Sequence, residues 1–406
     1  MFRRPIIVTR GVTRGWTSRA RAERVARTAG HRRITRQMPS FTPHQDAALS
    51  AVARWLDDRP GTGSTPQVFR LFGYAGTGKT TLARHLADGV EGKVVFAAFT
   101  GKAALVMRGK GCDGAATIHS TIYKARETDA GAPSFDLWDD APVASASLIV
   151  IDECSMVDAE LGRDLLSFGV PVLVLGDPAQ LPPVQGGGFF TGAEPDAMLT
   201  EVHRQAEDDP IVRLSMAVRE GRGLPRGVWG ETSVIARAEL DPRRVLDAEQ
   251  VLVGRNRTRR AYNGRMRERR GFTEPLPVPG ERLVCLRNNR KKGLLNGGLW
   301  AVTERKVSKS AIVTMRVRPD DGAGGKETKV SVRPECFSGA IEQIDWLERR
   351  PYDEFDFGYV LTVHKSQGSQ WDDVVLFDES FAFGEAHGRW LYTGITRAAK
   401  KLTVVQ

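Results

Sequence analysis

Residues 73–80 read G-Y-A-G-T-G-K-T. This G-x-x-x-x-G-K-[ST] spacing constrains the fold strongly, because it works only between a strand and a helix. Residues 68–72 (V-F-R-L-F) have the composition of a buried strand, and residues 81–88 have helical spacing. Gly73, Gly76 and Gly78 let the backbone curl so that successive N–H groups converge on phosphate oxygens, and the following helix adds its positive end. In that geometry Lys79 reaches the β- and γ-phosphates of a nucleotide and Thr80 holds Mg²⁺. The competing reading, a glycine-rich turn with a solvated lysine, needs strand, spacing and helix to agree by accident.

The pattern of apolar strand and polar tip recurs. Residues 94–99 (V-V-F-A-A-F) lead into T-G-K-A-A, and T-I-H-S follows at 117–120. These tips offer hydroxyls, backbone N–H groups and a cation, the groups that hold a phosphodiester backbone without reading bases; an ordinary strand-to-helix loop has the same composition. Residues 148–151 form a third apolar run ending in Asp152-Glu153. A carboxylate at such a tip holds Mg²⁺, and the next one can polarise an attacking water. A fourth run, 171–175 (P-V-L-V-L), is followed by G-D-P-A-Q-L-P-P, where Gln180 is placed to sense a γ-phosphate or orient water. Four strand–helix repeats predict a parallel sheet with its ligand at the carboxyl ends of the strands. Upstream, F-T-P-H-Q at 41–45 puts Gln45 at a helix start, as a cap or as an amide for an adenine edge.

Charge needs to be located before it is interpreted. Residues 1–40 hold eleven Arg and one acid, Glu23; removing them from the 59 basic and 49 acidic residues of the chain leaves 48 of each. The net +10 therefore sits in the tail, and a nucleic-acid reading of the rest must rest on local patches. The tail reads as a disordered basic arm or as sequence upstream of a start at Met38, ahead of an organelle transit peptide. The densest basic run elsewhere, residues 255–270, reads as a solvated helix face or as a non-specific phosphate grip. The four Cys lack any C-x-x-C pair, which predicts reduced thiols and neither a disulfide frame nor a metal site. No apolar run approaches the ~18 residues of a membrane span, so a soluble protein is expected.

Two regions break the strand–helix alternation. Residues 122–139 predict two short strands around T-D-A-G, a β-hairpin carrying Phe135 and Trp138, with a core position the default for both. Residues 281–338 alternate with period two between turns such as N-G-G at 296–298 and D-G at 321–322, which predicts a small β-barrel.

The set F-T-P-H-Q, G-Y-A-G-T-G-K-T-T, F-T-G-K-A-A, T-I-H-S, I-D-E-C-S-M-V and G-D-P-A-Q-L-P-P-V resembles the superfamily 1 helicases. L-T-E-V-H-R-Q (199–205), V-H-K-S-Q-G-S-Q-W (363–371) and Y-T-G-I-T-R-A (392–398) complete it in the family's order. The resemblance is to the RecD and phage Dda-like type, the branch that moves 5′ to 3′, and covers residues 41–406. It implies an α/β fold of two RecA-like P-loop domains with parallel sheets, an SH3-like β-barrel insert and a short β-hairpin insert. The implied boundaries are a 1–40 tail, domain 1 over 41–205 with its hairpin at 122–139, domain 2 over 206–280 and 351–406, and the insert over 281–350.

The resemblance further implies ATP and Mg²⁺ as cofactors. Gln45 would contact adenine, Lys79, Thr80 and Asp152 would bind phosphates and metal, and Glu153 would be the general base. Gln180, Arg204 and Arg397 would surround the γ-phosphate, with Thr77, Thr81 and Gly368 also at the nucleotide. Thr100, Lys102, His119, Lys365 and Ser366 would face a single DNA strand. Many relatives carry an acid where this chain has Gln370, which leaves a ribose contact open. The implied activity is ATP-dependent unwinding of DNA in replication, recombination or repair, or translocation along single strands without robust unwinding. The implied partners are single-stranded DNA, duplex junctions and a single-strand-binding, replisome or recombination protein. A monomer in a bacterial cytoplasm, phage- or plasmid-encoded, is the expected setting. A small-molecule phosphotransferase would lack the second motif set, and a dead ATPase would lack catalytic residues that are all present here.

Overall fold

Strands buried on both faces need apolar runs without polar alternation, and four such runs form the middle of a parallel sheet. A computed structural model describes residues 41–61, 63–127, 133–182, 188–201, 208–307, 312–320 and 326–406. The tail with Met38, the turn at 321–322 and Arg204 lie outside the described residues. The first sheet runs Ala116–Thr117, Val94–Ala98, Leu148–Asp152, Val172–Gly176, Val68–Gly73 and Ala197–Leu199, all parallel. Leu148, Ile149, Val150 and Ile151 are completely buried, as are Val172, Leu173, Val174 and Leu175. Because the strands ending at Asp152, Gly176 and Gly73 are neighbours, their loops lie side by side at one sheet edge.

The helix Pro43–Asp57 starts at Thr42, whose hydroxyl accepts from Gln45 N while the Gln45 side chain returns to Thr42 N. That reciprocal capping box, with proline at the first position, explains a sharp helix start. Tyr123–Glu127 and Pro133–Leu137 pair antiparallel. Trp138 packs, partly buried, against the core of the first sheet; the Phe135 side chain and the T-D-A-G turn lie outside the described residues.

A second sheet runs Val360–Thr362, Gln250–Val253, Trp371–Phe377, Ala398–Val405, Thr232–Ile235 and Gly227–Trp229. It is parallel except for its last pair. The chain leaves this sheet after Gln250–Val253 and returns at Val360–Thr362. In between it builds an antiparallel sheet ordered Thr328–Val332, Val313–Pro319, Leu299–Val307, Arg282–Cys285 and Phe355–Phe357. Two points differ from the sequence reading. Phe355–Phe357, assigned by sequence to domain 2, pairs with Arg282–Cys285 and is an edge of the inserted sheet. The inserted sheet also shares a core with the second one, since Leu283, Trp300 and Val313 cluster with Val251, Val253 and Val375.

The basic run is the helix Asn256–Arg269, and it is neither wholly solvated nor wholly a grip. Arg259 and Arg267 are 5% and 8% exposed and face inward. Arg259 pairs with Asp356 at 2.7 Å. Arg267 donates to both oxygens of Glu281 at 2.6 and 3.0 Å and lies over the Phe357 ring. Between them Asn263 bonds both the N–H and the carbonyl of Val360. Arg255, Arg257, Arg260, Arg265, Arg269 and Arg270 remain exposed. Helical spacing separates the two sets: 259, 263 and 267 share one face. Among the described residues no helix is long and apolar enough to cross a membrane.

Glu281 is fully buried, and its carboxylate also accepts Val278 N–H. Removing one member of a buried ion pair leaves an uncompensated charge, so Glu281→Ala is expected to cost about 3–5 kcal/mol. Urea denaturation of the variant beside the wild type measures it.

Candidate nucleotide and nucleic-acid site

The phosphate loop joins the strand Val68–Gly73 to the helix Lys79–Asp88. Gly76 and Gly78 have φ of 78° and 79°, the left-handed region that glycine adopts freely. Gly73 is required for space: a Cβ there would sit 2.7 Å from Thr77 Oγ1 and 2.8 Å from Leu199 Cβ. Thr77 is buried and donates its hydroxyl to the Tyr74 carbonyl at 2.8 Å. Lys79 Nζ donates to the carbonyls of Gly73 and Tyr74 at 2.6 and 2.9 Å, which centres the ammonium within the loop. Thr81, on the first helical turn, is exposed.

Thr80 Oγ1 donates to Asp152 Oδ2 at 2.8 Å, while Asp152 Oδ1 accepts Glu153 N–H at 2.8 Å. A hydroxyl and a carboxylate are hard oxygen donors, the few protein ligands that Mg²⁺ takes when phosphates and waters complete its octahedron. Thr80 and Asp152 therefore fit that ion. Glu153 holds φ of +53°, a left-handed conformation costing a non-glycine residue about 1–3 kcal/mol. Burial pushes the Glu153 carboxyl pKa above its ordinary value; the Arg397 guanidinium and the Lys79 ammonium oppose the shift, and Asp152 and Asp177 add to it. Gln45 is buried, accepts Thr42 N–H, and donates Nε2 to the Thr77 carbonyl at 3.0 Å. The helix cap is thus also a brace on the phosphate loop.

Arg397 comes from the other half of the chain and is 5% exposed. Its guanidinium donates to the carbonyls of Thr393 and Ser369 at 3.0 and 3.1 Å and to Thr396 Oγ1 at 3.2 Å. Of the charges acting on Glu153, that of Arg397 opposes the effect of burial most strongly. Gln180 is buried with its amide oxygen unpartnered, an orphaned acceptor on the loop beside the phosphate strand. Arg204 lies outside the described residues. Sequence reasoning assigned no role to Tyr392, whose hydroxyl bonds Ala75 N–H and Asp177. The signal was present in Y-T-G-I-T-R-A, since a phenol on a buried helix face must find a polar partner.

The residues proposed to face a strand lie on both halves. Thr100 caps the helix Gly101–Gly109 by accepting Ala103 N–H at 3.1 Å. Lys102 Nζ is 4.5 Å from the Trp371 ring centroid. His119 is exposed between the rings of Phe99 and Tyr123. Lys365 and Gln370 are exposed at the end of the second sheet. Ser366 is a correction: it is completely buried and donates Oγ to the Val363 carbonyl at 2.7 Å, so it supports the Lys365 turn from beneath. Gly368, with φ of 72°, packs on Thr100 and Ala103; a Cβ there would meet Thr100 Oγ1 at 2.7 Å. Its nearest neighbours are therefore at the start of the helix Gly101–Gly109 rather than on the phosphate loop.

Residues 59–229 match the model of the AAA domain, and residues 357–405 match that of the UvrD-like helicase C-terminal domain. The chain is 28% identical over 357 residues to the ATP-dependent RecD2 DNA helicase of Deinococcus radiodurans, covering 81% of this chain and 45% of that protein. It is 30% identical over 165 residues to the ATP-dependent DNA helicase dda of phage T4, covering 37% of each. In sequence the chain is similar to the RecD and Dda type of superfamily 1 helicase. It spans less than half the length of the RecD2 relative. The fold is also that of Bacteroides Pif1 bound to single-stranded DNA, with a TM-score of 0.56 at 18% identity over 90% of this chain and 92% of that one. The two matched regions carry the two halves of the site, the phosphate loop in one and Arg397 in the other.

Gly73→Ala is expected to force the loop open, because overpacking of this kind costs about 1–3 kcal/mol and the nearest atoms hold the loop itself. Titration with a fluorescent nucleotide would register weakened binding together with a lowered denaturation midpoint.

Proposed function

We propose that this chain is an ATP-driven DNA helicase that moves 5′ to 3′ along single-stranded DNA and separates duplex at a junction. The observation that carries this reading is the joining of the two halves at the phosphate loop, where Tyr392 of the second sheet's half, on the helix that Arg397 follows, accepts Ala75 N–H at 3.0 Å. A nucleotide on the phosphate loop would lie between the two halves. An arginine brought to the transferred phosphoryl stabilises the charge of the transition state, by about 10³–10⁵ in rate in other phosphate-loop enzymes. It also makes closure of the two halves depend on whether ATP or ADP is bound.

In this mechanism Lys79 and the loop amides cradle the phosphates. Thr80 and Asp152 would hold Mg²⁺, which would supply charge neutralisation at the phosphates. Glu153 takes a proton from the attacking water, Gln180 orients that water, and Arg204 joins Arg397 at the γ-phosphate. Gln45 is the adenine contact, carried on a helix already braced to the loop. Thr100, Lys102 and His119 grip the strand from the first half and Lys365 from the second, so alternating closure moves one grip past the other. The sheets support a division into two RecA-like domains, with the antiparallel sheet read as the SH3-like insert and the paired strands at 123–137 as the wedge at a junction. The protein would work as a monomer in a bacterial cytoplasm, alongside a single-strand-binding or replisome protein.

The deciding experiment is ATP turnover with and without single-stranded DNA, run beside unwinding of duplexes bearing a 5′ or a 3′ tail. Stimulation with 5′-tail unwinding is the expected result. Stimulation without unwinding on either tail would make the protein a translocase and reduce the paired strands to packing. No stimulation would leave an ATPase and remove the DNA half of the reading.

Lys79→Ala is expected to abolish turnover, and Arg397→Ala to retain nucleotide binding while losing hydrolysis by about 10³-fold or more. Persistent DNA-stimulated hydrolysis in the first variant would refute the site. The pH dependence follows from Glu153, which must be ionised to act as a base. Its raised pKa puts the acidic limb of the turnover profile above the ordinary carboxylate range, so activity falls as pH drops through that raised value.

A further inference from the structure

Two consecutive residues of the phosphate loop are held from the second half of the molecule, at positions the G-x-x-x-x-G-K-[ST] spacing leaves open. Tyr74 lies under the Arg219 guanidinium, 3.7 Å from the ring centroid. Ala75 donates its N–H to the Tyr392 phenol oxygen at 3.0 Å. The same hydroxyl donates to Asp177 Oδ2 at 2.7 Å. A phenol has one proton to give, so the two bonds are complementary: the proton goes to the carboxylate and a lone pair receives the amide. Tyr392 is 1% exposed and Asp177 3%, which leaves water little access to replace either bond.

The relay continues on both sides. Asp177 Oδ1 accepts Ala179 N–H at 3.0 Å and so shapes the turn that carries Gln180. Next to Gln180, Leu181 donates N–H to Thr393 Oγ1 and accepts from Gln367 Nε2, both at 2.9 Å. Tyr392 and Thr393 lie on the helix His387–Ile395, and Arg397 follows it by two residues. Thr393 also supplies the carbonyl that holds Arg397 Nε. One buried phenol therefore joins the loop that wraps the phosphates, the turn that presents Gln180 and the helix that delivers Arg397.

We propose that Tyr392 is a positioning residue that couples nucleotide binding to the grip on single-stranded DNA, an inference that rests on the helicase reading above. Phosphates draw the loop N–H groups toward themselves, so a bound nucleotide displaces the Ala75 amide and the phenol follows. The displacement reaches Gln367 and Gly368, which lie beside Lys365 and against Thr100 at the strand-facing surface. Tyr392→Phe keeps the ring and deletes both bonds, leaving a buried amide and a buried carboxylate oxygen without this partner.

The test is the affinity of the full chain for a labelled oligothymidylate, measured with and without Mg²⁺ and a non-hydrolysable ATP analogue. The ratio of the two affinities is the coupling factor, and by linkage the oligonucleotide changes the analogue's affinity by the same ratio. A wild-type factor of about fivefold or more, falling to within roughly twofold of unity in Tyr392→Phe, is the expected result. A folded Tyr392→Phe with the wild-type factor overturns the inference while leaving the helicase reading intact. Equal weakening of both affinities with the ratio preserved assigns Tyr392 to folding alone and also overturns it. A wild-type chain that binds neither ligand overturns the helicase reading and this inference with it. Should Tyr392→Phe not fold, Asp177→Ala cuts the same relay at its other bond; loss of the ratio supports the coupling and a wild-type ratio overturns it.

Discussion

A phosphate can be held inside a protein only where several backbone N–H groups point at one place, and a strand turning tightly into a helix provides that convergence. The rest of this molecule is arranged around that turn. Gly73 lacks a side chain because Thr77 and Leu199 occupy the space one would need. The neighbouring strands bring Asp152 and Asp177 to the same edge, so the Thr80–Asp152 pair and the turn that carries Gln180 come from adjacent loops. The parallel order makes this possible: all these strands end at one edge, and their tips are the natural place for a ligand.

The second half of the chain meets that edge through buried hydrogen bonds as well as apolar contact. Tyr392, Thr393 and Gln367 bond the phosphate loop and the Asp177 turn directly, and Arg397 is held by carbonyls of its own half. Such bonds are sensitive to small displacements, because a buried donor without an acceptor loses about 1–3 kcal/mol. A seam built this way has a few well-defined arrangements rather than a continuum of them. The inserted sheet stands behind the second half as part of its core, tied by Arg259–Asp356 and Arg267–Glu281.

Much of this was legible from residue order alone. The apolar runs ending in G-K-T, D-E and G-D-P-A-Q each became a buried strand with its polar tip at the site. The alternation over 281–338 became antiparallel strands. Where sequence reading fell short, the missing information was a contact that residue pattern does not encode, in most cases one between distant segments. Nothing near Ser366 says that its hydroxyl turns inward to Val363. The three residues 355–357 look like the start of the next strand until their pairing with Arg282–Cys285 is known. The arginines at 259 and 267 read as solvated until Asp356 and Glu281, 97 and 14 residues away, are brought beside them.

The chain's order of residues by itself determined a phosphate loop, the parallel sheet that presents it and a second set of motifs carrying Arg397. These follow from local rules: glycine's freedom at positive φ, the apolar run of a doubly covered strand and the chemistry of carboxylates at strand tips. Only the tertiary structure decided which side chains cross between the halves. Tyr392 could have been a core aromatic until the second half was folded against the first. Hydrogen bonds between residues 317 and 215 positions apart, as for Tyr392 with Ala75 and Asp177, have no signature in local spacing and exist only once the two halves have met.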